Sequence, residues 1–348
     1  MQSRAVLALL LVACGLAFAA PAAIAQNAPA GAPASKPAAA KKKPAPKKAA
    51  KKPPKKKKPA RAAAKPTAKA QPPRPLPAPA PKFSTDTESA IARPGDHAFA
   101  IQHGGLTRTY VVHVPPSYNL ASPAALVVLL HGGANNPDLL GNEPTYGLAA
   151  KSNREGFIAV FPKGAGQPAS WNAGDCCGAA LAQNVDDVGF IRQVVTNVFR
   201  QMSIDRTRIF AAGISDGGAM AYRLACEVPD LWRAVAAVAA TDRTRDCNPA
   251  TAVSVLHIQA KDDPPSPAAT MGKWAQLDGC TAQPRHVLDQ GGSYCETYSY
   301  CRGKSEVQLC MTETGGHTWP GGQAGKGAAS PSQAFSATNL IWDFFSRR

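Results

Sequence analysis

The chain of 348 residues is long enough for one large domain or two, and its 45% hydrophobic content excludes a chain that is disordered throughout. Its net charge of +16 is unevenly placed, because residues 1–82 hold 18 of the 39 Lys and Arg and none of the 23 Asp and Glu. The other 266 residues therefore carry 21 basic and 23 acidic side chains, a net charge of −2. This distribution excludes a basic folded domain.

Residues 1–25 predict a secretory signal peptide. One arginine precedes an apolar run over residues 5–20, and the small residues AIA stand before Gln26, as at a cleavage site. An uncleaved anchor is one alternative, although this run is short for a membrane span, and a lipoprotein with Cys14 as the lipidated residue is another. We expect secretion to the periplasm or the medium, with no membrane span after cleavage.

Residues 26–82 predict a disordered spacer built of Ala, Pro and Lys. They contain 15 Lys and 2 Arg without any acid, so they have little to bury and their like charges repel one another. Lysine clusters bind phosphates without sequence preference, but the leader directs the chain away from DNA, so we expect no nucleic-acid partner. A plain linker and a segment that binds anionic envelope polymers are the two interpretations.

The cysteines agree with export. An even number of cysteines in a secreted domain predicts up to four disulfides, although 105 pairings of eight cysteines are possible. The pattern has no paired CxxC units, which argues against a zinc site. The eight cysteines beyond the leader are Cys176, Cys177, Cys226, Cys247, Cys280, Cys295, Cys301 and Cys310.

Residues 83–348 alternate short apolar runs with helical patterns. The runs are rich in Val, Ile, Leu and Ala, as in strands covered on both faces: TYVVHV, ALVVLLH, FIAVF, RIFAAG, AVAAVAA and VSVLHIQ. Helices are predicted for DDVGFIRQVVTNVFRQM, GGAMAYRLACEV and SATNLIWDFF. This alternation predicts an α/β fold with a mostly parallel, doubly wound sheet in a single catalytic domain.

The sequence GISDG places Ser215 between the predicted strand RIFAA and a predicted helix. A GxSxG pentapeptide alone is a weak signal, but the strand-turn-helix setting is that of a nucleophile elbow. There a sharp turn lifts the serine hydroxyl out of the carboxyl edge of the sheet, and flanking glycines avoid clashes. The pattern predicts Ser215 as a catalytic nucleophile, with an ordinary serine in a glycine-rich turn as the alternative.

A serine hydroxyl needs a base to remove its proton at neutral pH. Among the seven histidines, His317 lies on a glycine-rich loop, TGGHTWPGG, after the apolar run VQLCM, which favours it as that base. A carboxylate must then orient the histidine, and the strand VLHIQ is followed by Asp262 and Asp263. We predict Asp263 for this role, with Asp262 as the alternative, which gives the chain order Ser, Asp, His of an α/β hydrolase.

The oxyanion that forms during ester cleavage needs backbone N–H donors. One predicted donor is Asp216, the residue after the nucleophile. The other is Gly133, in the glycine turn LLHGGANN that follows an early strand. A plain strand-to-loop turn is the alternative for Gly133.

Six segments, in order, resemble the secreted esterase family of polyhydroxybutyrate depolymerases and bacterial feruloyl and acetylxylan esterases: LLHGG, SWNAGDCCG, VDDVGFI, AAGISDGGAMAYRLAC, VLHIQAKDDP and GGHTWPGG. The resemblance extends over residues 99–345. It implies an α/β-hydrolase fold, an acyl-enzyme mechanism and no cofactor. It also supports each residue in the catalytic or oxyanion role given above.

The same resemblance places Trp171 and Trp319 where aromatic side chains line the acyl or polymer site, with core packing as the alternative. Asp186 or Asp187 is expected to cap the following helix. Family members often carry a histidine-glycine-threonine run after the acid-bearing strand, whereas this chain reads Gln259, Ala, Lys. We therefore expect the substrate pocket to differ there.

Together these patterns predict a secreted serine esterase without metal or cofactor. Its expected substrates are polyhydroxybutyrate-type polyesters or oligomers, or feruloyl and acetyl esters of plant-wall polysaccharide. Two alternatives belong to other classes: a catalytically inactive relative that binds polysaccharide, and an envelope protein whose basic segment binds polyanions.

Overall fold

The structure, a computed structural model, describes residues 82–133, 143–324 and 329–348. The predicted signal peptide and the basic spacer, apart from Lys82, lie outside the described residues. Within the described ranges, no helix combines the length and apolar character that crossing a membrane requires.

The described residues form a ten-stranded sheet with the order β1-β2-β4-β3-β5-β6-β7-β10-β9-β8. Its strands are β1 (Gly95–His103), β2 (Leu106–Val114), β3 (Ala124–Leu130), β4 (Ile158–Pro162), β5 (Ile204–Ile214), β6 (Ala234–Val238), β7 (Ser254–Ala260), β8 (Arg285–Gln290), β9 (Ser293–Tyr298) and β10 (Val307–Thr312). The helices are α1 (Glu143–Tyr146), α2 (Leu148–Glu155), α3 (Gly178–Ala182), α4 (Asp187–Gln201), α5 (Asp216–Glu227), α6 (Ala268–Leu277) and α7 (Ala337–Ser346).

The six neighbouring strands from β4 to β10 run parallel, and every pairing beyond them at the two edges is antiparallel. The predicted mostly parallel sheet is therefore confirmed, and each of the predicted apolar runs lies within a strand of it or extends beyond one by at most two residues. Strands β1, β8 and β9 have no apolar run that predicts them in the sequence. These strands lie at the edges, where one face or both are partly exposed and the apolar runs are broken.

Two layers of helices cover the sheet, as expected for a doubly wound fold. Alternate residues of β3 divide between two apolar clusters, because successive side chains of a strand point to opposite faces. Leu126 and Val128 join the cluster that contains residues of α4, α5 and α6. Val127 and Leu129 join the cluster that contains residues of α2 and α7.

The eight cysteines of the described part form four disulfides, whose pairing the sequence left open. Two of them, Cys280–Cys301 and Cys295–Cys310, lie at the antiparallel edge formed by β8, β9 and β10, and a third joins the end of α5 to the segment after β6, Cys226–Cys247. The fourth joins the adjacent residues Cys176 and Cys177.

Candidate active site

Ser215 forms the turn between β5 and α5. Its backbone has φ 54° and ψ −120°, a conformation that a residue with a side chain rarely adopts and that costs about 1–3 kcal/mol. The turn is fixed to the neighbouring strand, because the Ser215 N–H donates to the carbonyl of Val238 at 2.9 Å. A strained serine at the carboxyl end of a central parallel strand is the geometry of a nucleophile elbow.

The glycines of the elbow allow the backbone to turn back on itself. A Cβ on Gly213 would overlap the backbone of Gly217, and a Cβ on Gly217 would overlap the carbonyl groups of Leu130 and His131 at the end of β3. The two glycines of GxSxG are therefore required by close packing of backbone against backbone.

Asp263 and His317 follow adjacent strands, β7 and β10, whose carboxyl ends adjoin because the strands are parallel. The Nδ1 atom of His317 lies 3.1 Å from each carboxylate oxygen of Asp263. The Nε2 atom of His317 has no hydrogen-bond partner within the described part of the chain. This arrangement leaves one ring nitrogen for proton exchange while the other is oriented by a carboxylate.

Asp262, the alternative acid, has a different set of contacts. Its carboxylate accepts from the backbone N–H of Gly316 at 2.8 Å and, more weakly, from that of Gly315 at 3.4 Å. Asp262 therefore fixes the loop that carries His317, and the carboxylate beside the histidine ring is that of Asp263.

A buried series of hydrogen bonds supports the loop that carries Asp263. The amide nitrogen of Gln259 donates to the carbonyl groups of Asp263 and Pro265, so its amide oxygen must accept, and it lies 2.7 Å from Nε2 of His257. His257 then carries its proton on Nε2, and its Nδ1 accepts from the Tyr222 hydroxyl at 2.6 Å. Burial lowers the pKa of His257 to about 4, which keeps the ring neutral.

The predicted oxyanion donors lie beside the nucleophile. A Cβ on Gly133 would overlap the carboxylate of Asp216, and a Cβ on Gly132 would lie 3.4 Å from the Cβ of Ser215. The glycine turn after β3 thus passes directly against the elbow, as two converging backbone donors require. Burial raises the pKa of the Asp216 carboxyl, and the charge of His317 opposes that shift.

His131 anchors this glycine turn from below. Its Nδ1 donates to the carbonyl of Gly132 at 2.7 Å, and its Nε2 accepts from the Gly164 N–H at 2.8 Å. This pattern requires a neutral ring, and burial accordingly lowers the pKa of His131 to about 4. The role of His131 is to hold the turn, which sequence reasoning did not assign to it.

Ser215, Asp216, Asp263 and His317 line one cavity of about 200 Å³. The structure thus brings together the predicted nucleophile, base, acid and one oxyanion donor, from loops that follow three parallel strands. Cys176 lines the same cavity, and the sulfurs of its disulfide lie within 4.8 Å of the nearest Asp216 carboxylate oxygen. Because the two sulfurs are bonded to each other, they supply no thiolate ligand for a metal.

Trp171 and Trp319 do not line this cavity, contrary to expectation. Both side chains are buried. The indole N–H of Trp171 donates to the carbonyl of His131 at 2.9 Å, and that of Trp319 donates to the hydroxyl of Thr338 at 2.9 Å. Their contacts are those of core residues that support the site from behind.

The two acidic residues of VDDVGFI have separate roles. Asp186 caps α4 by accepting from the Gly189 N–H at 2.8 Å, as predicted for one of the pair. Asp187 is buried, forms an ion pair with Arg108 at 2.7 Å, and accepts from the backbone N–H of Asn172 at 2.7 Å. Asp187 therefore holds the loop that leads to the Cys176–Cys177 disulfide.

With this geometry established, comparison with known proteins shows which esterases the chain resembles. Residues 108–272 match the family model described as Esterase PHB depolymerase. The match covers a little under half of the chain, 165 of its 348 residues. The matched range of the family model includes Ser215 and Asp263 and ends before His317.

Relatives of this chain include proteins named as feruloyl esterases. It is 31% identical over 198 residues to feruloyl esterase B of Piromyces equi, covering 49% of this chain and 35% of that protein, so it spans about a third of that relative's length. It is 29% identical over 247 residues to probable feruloyl esterase C of Aspergillus flavus, covering 68% of this chain and 83% of that protein.

The fold of this chain is also that of a solved structure, an acetyl xylan esterase from Aspergillus awamori. The two superpose with a TM-score of 0.52 at 14% sequence identity, covering 72% of this chain and 99% of that chain. At that identity the likeness establishes the fold, which is the α/β-hydrolase fold.

Proposed function

We propose that this chain is a serine esterase that cleaves carboxylic esters through an acyl-enzyme intermediate. The observation that carries the proposal is the Asp263–His317 pair, which opens into the same cavity as the strained Ser215. The match of residues 108–272 to the Esterase PHB depolymerase family model supports ester hydrolysis as the reaction.

In the first half of the reaction, His317 takes the proton of the Ser215 hydroxyl and the serine oxygen attacks the ester carbonyl carbon. The carbonyl oxygen becomes an oxyanion, which the backbone N–H groups of Gly133 and Asp216 stabilise. When the acyl C–O bond breaks, His317 returns the proton to the leaving alcohol. Asp263 stabilises the imidazolium while it exists.

In the second half, a water molecule gives a proton to His317 and attacks the acyl carbon. The acid is released and the Ser215 hydroxyl is restored. This step needs no group beyond those of the first half, because the same base and the same backbone donors serve both.

We propose polyhydroxybutyrate-type polyesters or oligomers and feruloyl or acetyl esters of plant-wall polysaccharide as the substrate classes. The family model supports the first class, and the names of the relatives support the second. A panel of 4-nitrophenyl acetate, methyl ferulate, acetylated xylan and 3-hydroxybutyrate oligomers ranks them.

The deciding experiment compares the mature oxidised protein with Ser215→Ala on that panel. We expect the variant to lose roughly a million-fold in kcat while it remains folded. Asp263→Asn should lower kcat by about 10⁴, and the matched variant Asp262→Asn should lower it far less. Equal activity in wild type and Ser215→Ala would refute the mechanism. A folded wild type that binds polysaccharide without hydrolysing any ester would instead indicate an inactive relative.

We also propose that residues 1–25 are removed on secretion and that residues 26–82 are a spacer outside a catalytic domain of residues 83–348. The four disulfides support an oxidising compartment. Amino-terminal sequencing of the exported protein should give Gln26 as its first residue. Deletion of residues 26–82 should leave the hydrolysis of soluble esters unchanged.

A further inference from the structure

The cavity beside Ser215 contains one positive charge that the proposed mechanism does not use. Among the described residues that line the cavity, Arg243 is the one lysine or arginine. Its side chain is exposed, and its guanidinium has no hydrogen-bond or ion-pair partner within the described residues. Its charge is therefore available to a ligand in the cavity.

The charged residues next to Arg243 in the chain are paired. The buried carboxylate of Asp242 lies 2.9 Å from the Nζ atom of Lys273 and accepts from the indole N–H of Trp274 at 3.0 Å. Arg245 forms an ion pair with Asp175. Neither neighbour therefore compensates the charge of Arg243.

The backbone at Arg243 is held in place. Its carbonyl accepts from the N–H of Asp175 at 2.9 Å, and a Cβ on Gly174 would overlap that carbonyl. On the other side, the N–H of Thr244 donates to the Asp242 carboxylate at 2.8 Å. A fixed backbone leaves only the side chain to be ordered on binding, which lowers the entropic cost of using it.

Neither of the two carboxylates that line the cavity forms an ion pair with Arg243. Asp263 faces the His317 ring, and the Asp216 carboxylate lies against Gly133. A guanidinium pairs best with a planar carboxylate, which it binds through two parallel hydrogen bonds. Residues 83–348 carry 21 basic and 23 acidic side chains, a net charge of −2, so they give an anion no overall attraction, and Arg243 supplies a positive charge at the cavity itself.

We infer that Arg243 binds a free carboxylate on the substrate, so that the preferred esters are hydroxyacid oligomers in which the leaving hydroxyacid ends in a carboxylate. This inference rests on the proposed esterase activity and selects one of its two substrate classes. A feruloyl or acetyl ester of a neutral sugar carries no such group. In a 3-hydroxybutyrate dimer, two carbons separate the ester oxygen from the carboxylate carbon, so both groups fit one small cavity.

The test uses the 3-hydroxybutyrate dimer as the free acid and as its terminal amide, with 4-nitrophenyl acetate as a neutral reference ester. In wild type, kcat/KM for the acid should exceed that for the amide about tenfold. Arg243→Gln should remove this preference through KM and leave the amide and the nitrophenyl ester within about twofold. Arg243→Lys should keep part of the preference, because the charge remains but the fork of donors is lost.

The matched control is Arg245→Gln, which removes a nearby arginine whose charge is paired and which does not line the cavity. It should leave the ratio of acid to amide unchanged. Equal rates for acid and amide in wild type, or an equal loss on both substrates in Arg243→Gln, would overturn the inference.

A binding measurement separates failure of this inference from failure of the proposed function. Calorimetry of the acid dimer with Ser215→Ala should show binding that the double variant Ser215→Ala/Arg243→Gln has lost. If wild type hydrolyses no ester but the single variant binds the dimer and the double variant does not, the mechanism fails while the carboxylate site stands. Equal binding by both variants overturns the site whatever the activity.

Discussion

The side-chain amide of Gln259 donates a hydrogen bond to the backbone carbonyl of Asp263. This contact positions the proposed catalytic acid relative to the end of β7. Gln259 stands where members of the family that this chain resembles often carry a histidine-glycine-threonine run. His257 and Tyr222 lie behind Gln259, and their hydrogen bonds fix which atom of the Gln259 side-chain amide donates.

Replacing Gln259 by leucine should lower kcat for a neutral nitrophenyl ester about tenfold with little change in KM. The variant loses the donors to the Asp263 and Pro265 carbonyls, so the acid shifts relative to His317, and small displacements of catalytic groups are costly. Steady-state kinetics with thermal melting gives both readouts. Gln102→Leu is the control, because Gln102 is an exposed residue of the edge strand β1. If the Gln259 variant melts earlier but keeps the wild-type kcat, its role is structural only.

Two glycine-to-alanine changes, one in the elbow and one in α6, should have opposite effects on the free energy of unfolding. Gly217→Ala should destabilise the protein by about 2 kcal/mol or more, because the added methyl group meets backbone carbonyls that cannot move aside. Gly272→Ala lies inside α6 with nothing within 4 Å of the new Cβ, and should stabilise by about 0.5–1 kcal/mol. Urea unfolding measures both. Similar free energies for the two variants would contradict the packing described for Gly217.

The buried neutral His257 predicts a pH-dependent contribution to stability. Its pKa is about 4 in the folded protein and 6.5 in the unfolded chain, so the unfolded state binds more protons between these values. The contribution of neutral His257 is therefore present above pH 6.5 and is lost as the pH falls toward 4. His131 acts in the same direction, whereas Asp278, whose pKa burial raises to about 6, acts in the opposite one.

Comparison of wild type with His257→Asn isolates that contribution. The difference in their free energies of unfolding should shrink by roughly 1.4 kcal/mol for each pH unit below 6.5. Denaturant unfolding at pH 7, 6, 5 and 4.5 measures it. The exposed His286→Asn is the control and should follow wild type at each pH. A constant difference between wild type and His257→Asn across this range would show that His257 is not buried as a neutral ring.

The disulfides should differ in what they contribute. Cys226–Cys247 spans 21 residues, so replacing both cysteines by alanine should cost about 3 kcal/mol through the gain in entropy of the unfolded chain. Cys176–Cys177 closes almost no loop, so the same replacement there should cost much less stability. It should instead alter KM, because Cys176 lines the cavity. Unfolding and kinetics on the two double variants check this, and the reverse ranking of stabilities would refute it.

The features that the sequence predicted best are those written in neighbouring residues. The parallel strands are continuous apolar runs, and the elbow is five consecutive residues whose glycines leave a visible pattern. Asp263 and His317 were predicted as partners because each follows a predicted strand and because the chain order Ser, Asp, His is that of an α/β hydrolase. Local sequence patterns therefore predicted most of the fold. They also predicted the nucleophile, acid and base that line one cavity in the structure.

The features that the sequence did not reveal depend on distant side chains. Arg108 and Asp187 are separated by 79 residues, and no local pattern links them. The Gln259 series depends on which atom of each side chain donates, which follows only from the full set of contacts. Trp171 was expected in the substrate site because of where it stands in a motif, but the depth of a side chain below the surface is not visible in a motif.

The ion pair of Arg108 and Asp187 also limits how this gene can change. Both side chains are nearly or wholly buried, so removing one charge leaves the other uncompensated, at a cost of about 3–5 kcal/mol. That is a large part of the stability of a typical domain, so a sequence in which only one of the two residues has changed should be selected against. We therefore expect the two residues, although far apart in the sequence, to be either both retained or both replaced in related proteins.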